Sequence, residues 1–268
     1  MLIPSEQEFA QAVALWREWN GRINVISRKD EDNIFAHHIL HSIAIAQYLE
    51  LFYPSALSSA TGKGPVRDPQ GAGCTGFVRP HLSPAVAGNT LNDSDLTSCL
   101  PPEKGGERCA EVADNQTYGR HDSFLDVGTG GGFPGIPLAM IMPEAKFTLC
   151  DSIGKKVKVA QAVADGLGLQ NVECVNARVE SLPGQWDWVV SRAVTSLENF
   201  YPWVKGRFRK SILYLKGGDI DAEIAAMQKK YHIPTGNIRT WRIDSWLNDE
   251  YFAEKFVIEV GKNYLCTP

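Results

Sequence analysis

The chain has 268 residues, 44% hydrophobic and 22% charged, proportions of a soluble globular protein whose core needs no disulfide or metal staple. No run of about 18 apolar residues occurs, which excludes a membrane-spanning helix, and Met1 to Phe9 lacks the basic patch and apolar run of a secretory signal. The net charge of −4 argues against a broadly basic nucleic-acid binder, and six cysteines without a CxxC pair predict reduced thiols, a cytoplasmic location and no metal centre.

Residues 1–53 read as an N-terminal helical extension. Ser5 and Glu8 make a capping-box pattern, and Phe9, Val13 and Trp16 then recur on one helical face. A second helix is expected to start near Asp30 or Asp32, with Ile34, His38, Ile39 and Ile43 on its inner face. Trp19 to Arg28 lies between them as a polar, turn-containing segment. His37 and His41 stand one helical turn apart, but no Glu or Cys nearby completes a metal set.

Residues 54–122 change in composition. They hold 9 of the 24 glycines and 7 of the 15 prolines, and no Ile, Met or Trp. So little apolar area cannot offset chain entropy, and we read the segment as a low-complexity, disordered insertion. Its Cys74, Cys99 and Cys109 are too irregularly spaced for a metal site.

Residues 123–268 alternate strand and helix signals. Strands are predicted at 123–127, 146–150, 172–175, 186–190, 211–215 and 256–260, and helices at 155–167 and 220–231, with Gly168 as a stop. Repeated βα units imply a parallel sheet with helices on both faces. Charge is uneven along the chain, with −3, −2 and +1 in the three zones; basic clusters stand at Lys155, Lys156 and Lys158 and at Lys205, Arg207, Arg209 and Lys210.

The strongest local signal is the glycine-rich run from Asp126 to Gly135, at the end of the first predicted strand. Glycines let a backbone approach a ligand closely, and the helix starting near Pro134 would aim free N–H groups into the same crevice. Gly130 to Gly135 also satisfies the G-x-G-x-x-G spacing of dinucleotide enzymes. Asp126 weighs against that reading, being a poor neighbour for a pyrophosphate and a good one for a cationic aminoacyl group. Asp151, 25 residues on, is placed to accept hydrogen bonds from a ribose, or to cap the following helix.

Asp126 to Pro137, then Leu149 to Lys156 and Val190 to Ala193, closely resemble the RsmG (GidB) family. Trp19-Asn20 with Asn24, His38-Ile39-Leu40 with Ser42, and Leu215-Lys216-Gly217 extend the match over about residues 6–53 and 122–260. The resemblance implies a class I Rossmann-like methyltransferase with a mostly parallel seven-stranded sheet. It implies S-adenosylmethionine as cofactor and N7 of a guanine in the 530 loop of 16S ribosomal RNA as target, presented as free RNA or as the 30S subunit. Carried over by position, it places Asp126, Gly128, Gly130, Phe133, Asp151, Val179, Glu180 and Arg192 at the cofactor. Arg192 would sit where cofactor and guanine meet, as the catalytic residue. Asn24, His38, Lys155, Arg178 and Lys216 would contact RNA. The insertion has no counterpart in the usual family length, and His41 stands where Asp is commoner. A monomer is expected.

Two other readings are open at this level. One is a nicotinamide-dependent Rossmann oxidoreductase. The other is a non-catalytic RNA-binding factor of ribosome assembly that keeps a cofactor pocket. A guanine N7 target suits the residues: its lone pair carries no proton, so no general base is needed. A guanidinium clamped on N7 would block the reacting lone pair, so Arg192 is expected on O6, phosphate or cofactor.

Overall fold

The computed structural model describes residues 3–53 and 121–261. The insertion and its three cysteines fall almost wholly outside these residues. Seven strands form one sheet: β1 Ser123–Val127, β2 Lys146–Asp151, β3 Val172–Asn176, β4 Trp186–Arg192, β5 Phe208–Gly217, β6 Ile238–Arg242 and β7 Lys255–Gly261. Their order is β3-β2-β1-β4-β5-β7-β6. Strands β1 to β5 pair in parallel, and β7 runs antiparallel to both β5 and β6. The Rossmann-like sheet therefore matches the expected class. The order reverses between β1 and β4, and in such sheets ligands bind at the carboxyl ends beside the reversal.

The six strands expected from sequence all form. The one not located beforehand is β6. It is a short edge strand, Ile-Arg-Thr-Trp-Arg, with no fully buried residue, so the apolar run that marks the inner strands is missing.

The N-terminal helices differ from expectation in detail. Ser5 makes no side-chain cap; its carbonyl accepts from Glu8 N at 3.2 Å, and the first turn is 3₁₀. Helix α1 then spans Ala10–Asn20. The second helix starts as a 3₁₀ stretch, Arg28–Asn33, passes through a π-helical turn, Ile34–Leu40, and becomes α2, His41–Phe52. Its predicted inner face holds, since Ile34, Ile39 and Ile43 are fully buried.

Helices cover both faces of the sheet. On one face α1, α2, α3 (Gly135–Ile141) and α4 (Gly154–Gly166) share a core with Phe124, Phe147, Trp188 and Leu213. On the other, α5 (Leu197–Val204) and α6 (Asp221–Tyr231) bury Leu125, Val189, Ile212 and Tyr214. The N-terminal helices therefore pack into the same core as the sheet. Gly168 stops α4 as expected: its φ of +67° suits glycine, and Leu169 N closes back on Ala164 O at 3.0 Å.

The basic cluster of 205–210 serves the fold. Arg207 donates to the Glu180 carbonyl at 2.6 Å, Arg209 pairs with Asp187 at 3.2 Å, and Lys210 pairs with Asp122 at 2.9 Å. Arg209 and Lys210 lie at the start of β5, the edge opposite the carboxyl ends.

Candidate functional site

Strand β1 ends in a turn held from three directions. Gly128 N and Thr129 N donate to the Cys150 carbonyl on β2, at 2.8 and 3.1 Å. From α1, the indole of Trp16 donates to Gly131 O at 2.7 Å, and its ring stacks on Phe133 at 4.3 Å. From within, Asp126 Oδ2 accepts from Thr129 Oγ1 at 2.6 Å and from Gly135 N at 2.9 Å. Asp126 is fully buried, and burial pushes its carboxyl up to about 7 against those two hydrogen bonds.

Asp126 therefore orders the turn from inside through Oδ2; it lines neither cavity described below, and its Oδ1 is buried with no hydrogen-bond partner. The first N–H of α3 is also turned inward, onto Asp126, and not into the crevice.

A cavity of about 400 Å³ opens at the carboxyl ends of β1, β2 and β4. That is within the roughly 300–1,000 Å³ of small-molecule sites. Gly128 forms part of its floor with φ +70°; a Cβ there would meet Val194 Cγ2 at 2.5 Å. Asp151 ends β2 at its wall and is buried. Its Oδ2 accepts from Gly130 N at 3.0 Å and its Oδ1 from Ile153 N at 2.8 Å, which leaves lone pairs on both oxygens. Asp151 orders the chain just before α4, whose N-cap is Ile153 and carries no side-chain cap, and its carboxylate lies at the cavity wall. Ile153 and Val194, unusually exposed for apolar side chains at 48% and 38%, add greasy walls with Val179 and Trp203.

A smaller cavity of about 220 Å³ adjoins it, lined by His38, His41, Lys216, Tyr251 and Lys255. Arg192 and Ala193, at the end of β4, border both cavities. Ala193 adopts φ +48°, a left-handed conformation costly for a residue with a Cβ. The Arg192 guanidinium lies 4.9 Å over the Phe133 ring, and its Nη2 is 3.0 Å from His38 Nδ1. Burial lowers its pKa to about 10, so it stays charged. Burial, reinforced by the Arg192 charge, pushes His38 down to about 4 and His41 well below its ordinary value. Both rings are neutral at physiological pH, and the cations of this cavity are Arg192, Lys216 and Lys255.

The chain matches the model of the family described as GidB, rRNA small subunit methyltransferase G, over residues 109–240. It is 32% identical over 265 residues to ribosomal RNA small subunit methyltransferase G of Christiangramia forsetii, covering 96% of this chain and 90% of that one. The chain belongs to this family. The Flavobacterium psychrophilum relative is 34% identical over 261 residues, covering 94% and 89%. The relative from Porphyromonas gingivalis is 33% identical, covering 94% and 85%. Among solved structures, magnesium protoporphyrin IX methyltransferase of Synechocystis with bound SAM aligns at a TM-score of 0.43 and 17% identity, over 53% of this chain and 71% of that one.

Of the positions expected from the family pattern, Gly128, Asp151, Arg178, Val179, Glu180 and Arg192 meet at the larger cavity. His38 and Lys216 meet at the smaller, again with Arg192. Gly130 and Phe133 line neither: Gly130 spends its N–H on Asp151, and Phe133 is buried between Trp16 and Arg192. Asn24 and Lys155 are exposed outside both cavities. It is Lys156, one residue on, that reaches the larger cavity. The sequence showed the lysine cluster but not which member faces inward. Tyr251 and Lys255 went unforeseen, because they lie in and beside irregular chain before β7 with no motif around them.

Proposed function

We propose that the protein methylates N7 of a guanine in the 530 loop of 16S ribosomal RNA, using S-adenosylmethionine. The observation that carries this is the pair of adjoining cavities that share Arg192 and Ala193 at the sheet's reversal point. One is sized for the cofactor; the other opens beside it with Arg192 and Lys255, and with Lys216, whose ammonium pairs with Glu223 at 2.9 Å, a cationic border suited to an anionic, acceptor-rich nucleotide.

The larger cavity suits S-adenosylmethionine. Asp151 offers buried carboxylate lone pairs to ribose hydroxyls, and Ile153, Val179 and Val194 offer apolar walls. Glu180 and Arg178 border the same space, and Gly128 keeps the floor clear. The cofactor supplies a methyl group on a positively charged sulfur. The chain's own work is alignment and exclusion of water, and orientation of this kind contributes roughly 7–11 kcal/mol to lowering a barrier. No side chain has to remove a proton, because N7 carries none. The neutral state of His38 and His41 is consistent with that. Arg192 projects its charge from β4 to where guanine O6, a phosphate or the cofactor carboxylate would lie. Lys216 and Lys255 face the nucleotide side, Asn24 and Lys155 stand on the outer RNA rim, and Arg178 reaches RNA from the mouth of the larger cavity. The extension of 1–53 buttresses the turn through Trp16 and lends His38 and His41 to the smaller cavity, while the core of 123–268 carries the larger one. A monomer is the state proposed for this activity, with both cavities lined by residues of one chain. Among the described residues no helix is long and apolar enough to cross a membrane.

The test is labelled methyl transfer to 30S subunits that lack native modification, with the modified nucleotide mapped. Transfer to a guanine N7 is expected. Binding of NADH in place of S-adenosylhomocysteine, in a thermal-shift experiment, would favour the oxidoreductase reading. Cofactor binding without transfer would favour a non-catalytic assembly factor.

A further inference from the structure

Asp30 stands outside both cavities, yet its carboxylate reaches two neighbouring histidines. Oδ1 lies 2.5 Å from His37 Nδ1 and Oδ2 lies 2.7 Å from His38 Nε2. Adjacent residues of a helix point in different directions, so two such contacts from one side chain need a group placed at the helix entrance. The 3₁₀ stretch Arg28–Asn33, running into the π-helical turn Ile34–Leu40, puts Asp30 there.

The far side of His38 faces Arg192, with His38 Nδ1 at 3.0 Å from Nη2. A guanidinium only donates, so His38 Nδ1 must be the accepting nitrogen. The single proton of the neutral ring then sits on Nε2 and is donated to Asp30 Oδ2. The carboxylate thereby selects the tautomer that can receive Arg192. On the other branch His37 stacks on Tyr251, rings 3.6 Å apart and inclined by 5°, so the same carboxylate steadies a wall of the smaller cavity. Burial disfavours the charge on Asp30, but hydrogen bonds from His37 and His38 outweigh it and hold the carboxyl below its ordinary value.

We propose that Asp30, acting through His38, is a positioning residue that fixes the orientation of Arg192 at the junction of the two cavities. The proposal deepens the methyltransferase reading and rests on it. Arg192 sits at the end of a strand, where a long side chain has many rotamers. The Asp30–His38 pair below and the Phe133 ring beside it remove most of them before any substrate arrives.

The test uses the full chain with ¹⁵N-labelled histidine. Long-range ¹H–¹⁵N spectra report which ring nitrogen of His38 carries the proton, the signal being assigned by its loss in His38→Asn. The wild type is expected to hold the proton on Nε2. In Asp30→Ala the Nδ1–H tautomer should appear. The kcat for methyl transfer to unmodified 30S subunits should fall by roughly 10–100-fold, as when the partner of an orienting histidine is removed from a metal site. Asp30→Asn keeps an acceptor for Nε2–H and should recover part of kcat; it also carries the test if the alanine variant does not fold. A wild-type His38 protonated on Nδ1 overturns the proposal. So does a fall in kcat with the tautomer unchanged, or a changed tautomer with kcat intact. Wild-type protein that transfers no methyl group overturns the methyltransferase reading instead, and the spectra still decide whether Asp30 sets the His38 tautomer that receives Arg192.

Discussion

Two glycines of the β1 turn look alike in sequence and should behave differently when replaced by alanine. Gly135 opens α3, and its N–H is bonded to Asp126. A Cβ at Gly135 would stand 2.8 Å from Asp126 Oδ2, 2.8 Å from Leu149 Cγ and 2.9 Å from Leu149 Cδ1. Asp126 and Leu149 are fully buried, so neither can step aside cheaply. Overpacking of this kind costs about 1–3 kcal/mol. Shifting the carboxylate also weakens a charge-assisted hydrogen bond of about 1.5–3 kcal/mol. Alanine's helix propensity returns about 1 kcal/mol. The net expectation for Gly135→Ala is a loss of about 2–4 kcal/mol. Gly130 has φ +58°, and a Cβ there would meet nothing within 4 Å. Gly130→Ala should therefore cost only the left-handed backbone term, about 1–2 kcal/mol. Urea unfolding at constant slope measures both. Equal losses, or a larger one at Gly130, would refute the reasoning that contact with Asp126 and Leu149 decides the difference.

Asp126 makes stability depend on pH. Burial pushes its carboxyl up to about 7 in the folded chain, above the ordinary carboxylate value of 3.8 that it takes when unfolded. Between those values the native state binds more protons, so stability falls as pH rises through the window and levels off above about 7. Asp126→Asn should remove that slope in unfolding measured from about pH 5 to 8, and an unchanged slope would place the titration elsewhere. Trp188 is fully buried and donates from Nε1 to Asp122 at 2.7 Å. Trp188→Phe should destabilise by roughly 2–4 kcal/mol, from a lost bond to a charged group plus unfilled volume; a loss below ~1 kcal/mol in chemical denaturation would contradict this. Asp151→Asn keeps the shape of the side chain and removes its charge. S-adenosylhomocysteine should bind about 10–100-fold more weakly in calorimetry, the equivalent of one hydrogen bond to a charged group, and unaltered affinity would remove Asp151 from the ribose role.

What the sequence determined by itself is local. Phe124 to Val127 and Phe147 to Cys150 read as strands because most of their residues are apolar and covered on both faces, with only Asp126 and Thr148 breaking the runs. The glycine run was legible because only glycine tolerates Gly128 and Gly132 at positive φ, and Gly168 marked the end of α4 for the same reason. Family motifs carried the positions of Gly128, Asp151 and Arg192 into one cavity. Tertiary structure decided where each side chain points. Asp126 sits in the motif next to its glycines, yet faces inward to Thr129 and Gly135. Lys156 reaches a cavity that Lys155 does not, because one residue turns a helix by about 100°. Arg192 meets a histidine 154 residues earlier in the chain, and Tyr251 meets another 214 residues away from it. No periodicity or spacing encodes such pairs. They exist because the π-helical turn before α2 and the chain before β7 pack against the same end of the sheet, where burial and hydrogen bonding across the fold choose the partners.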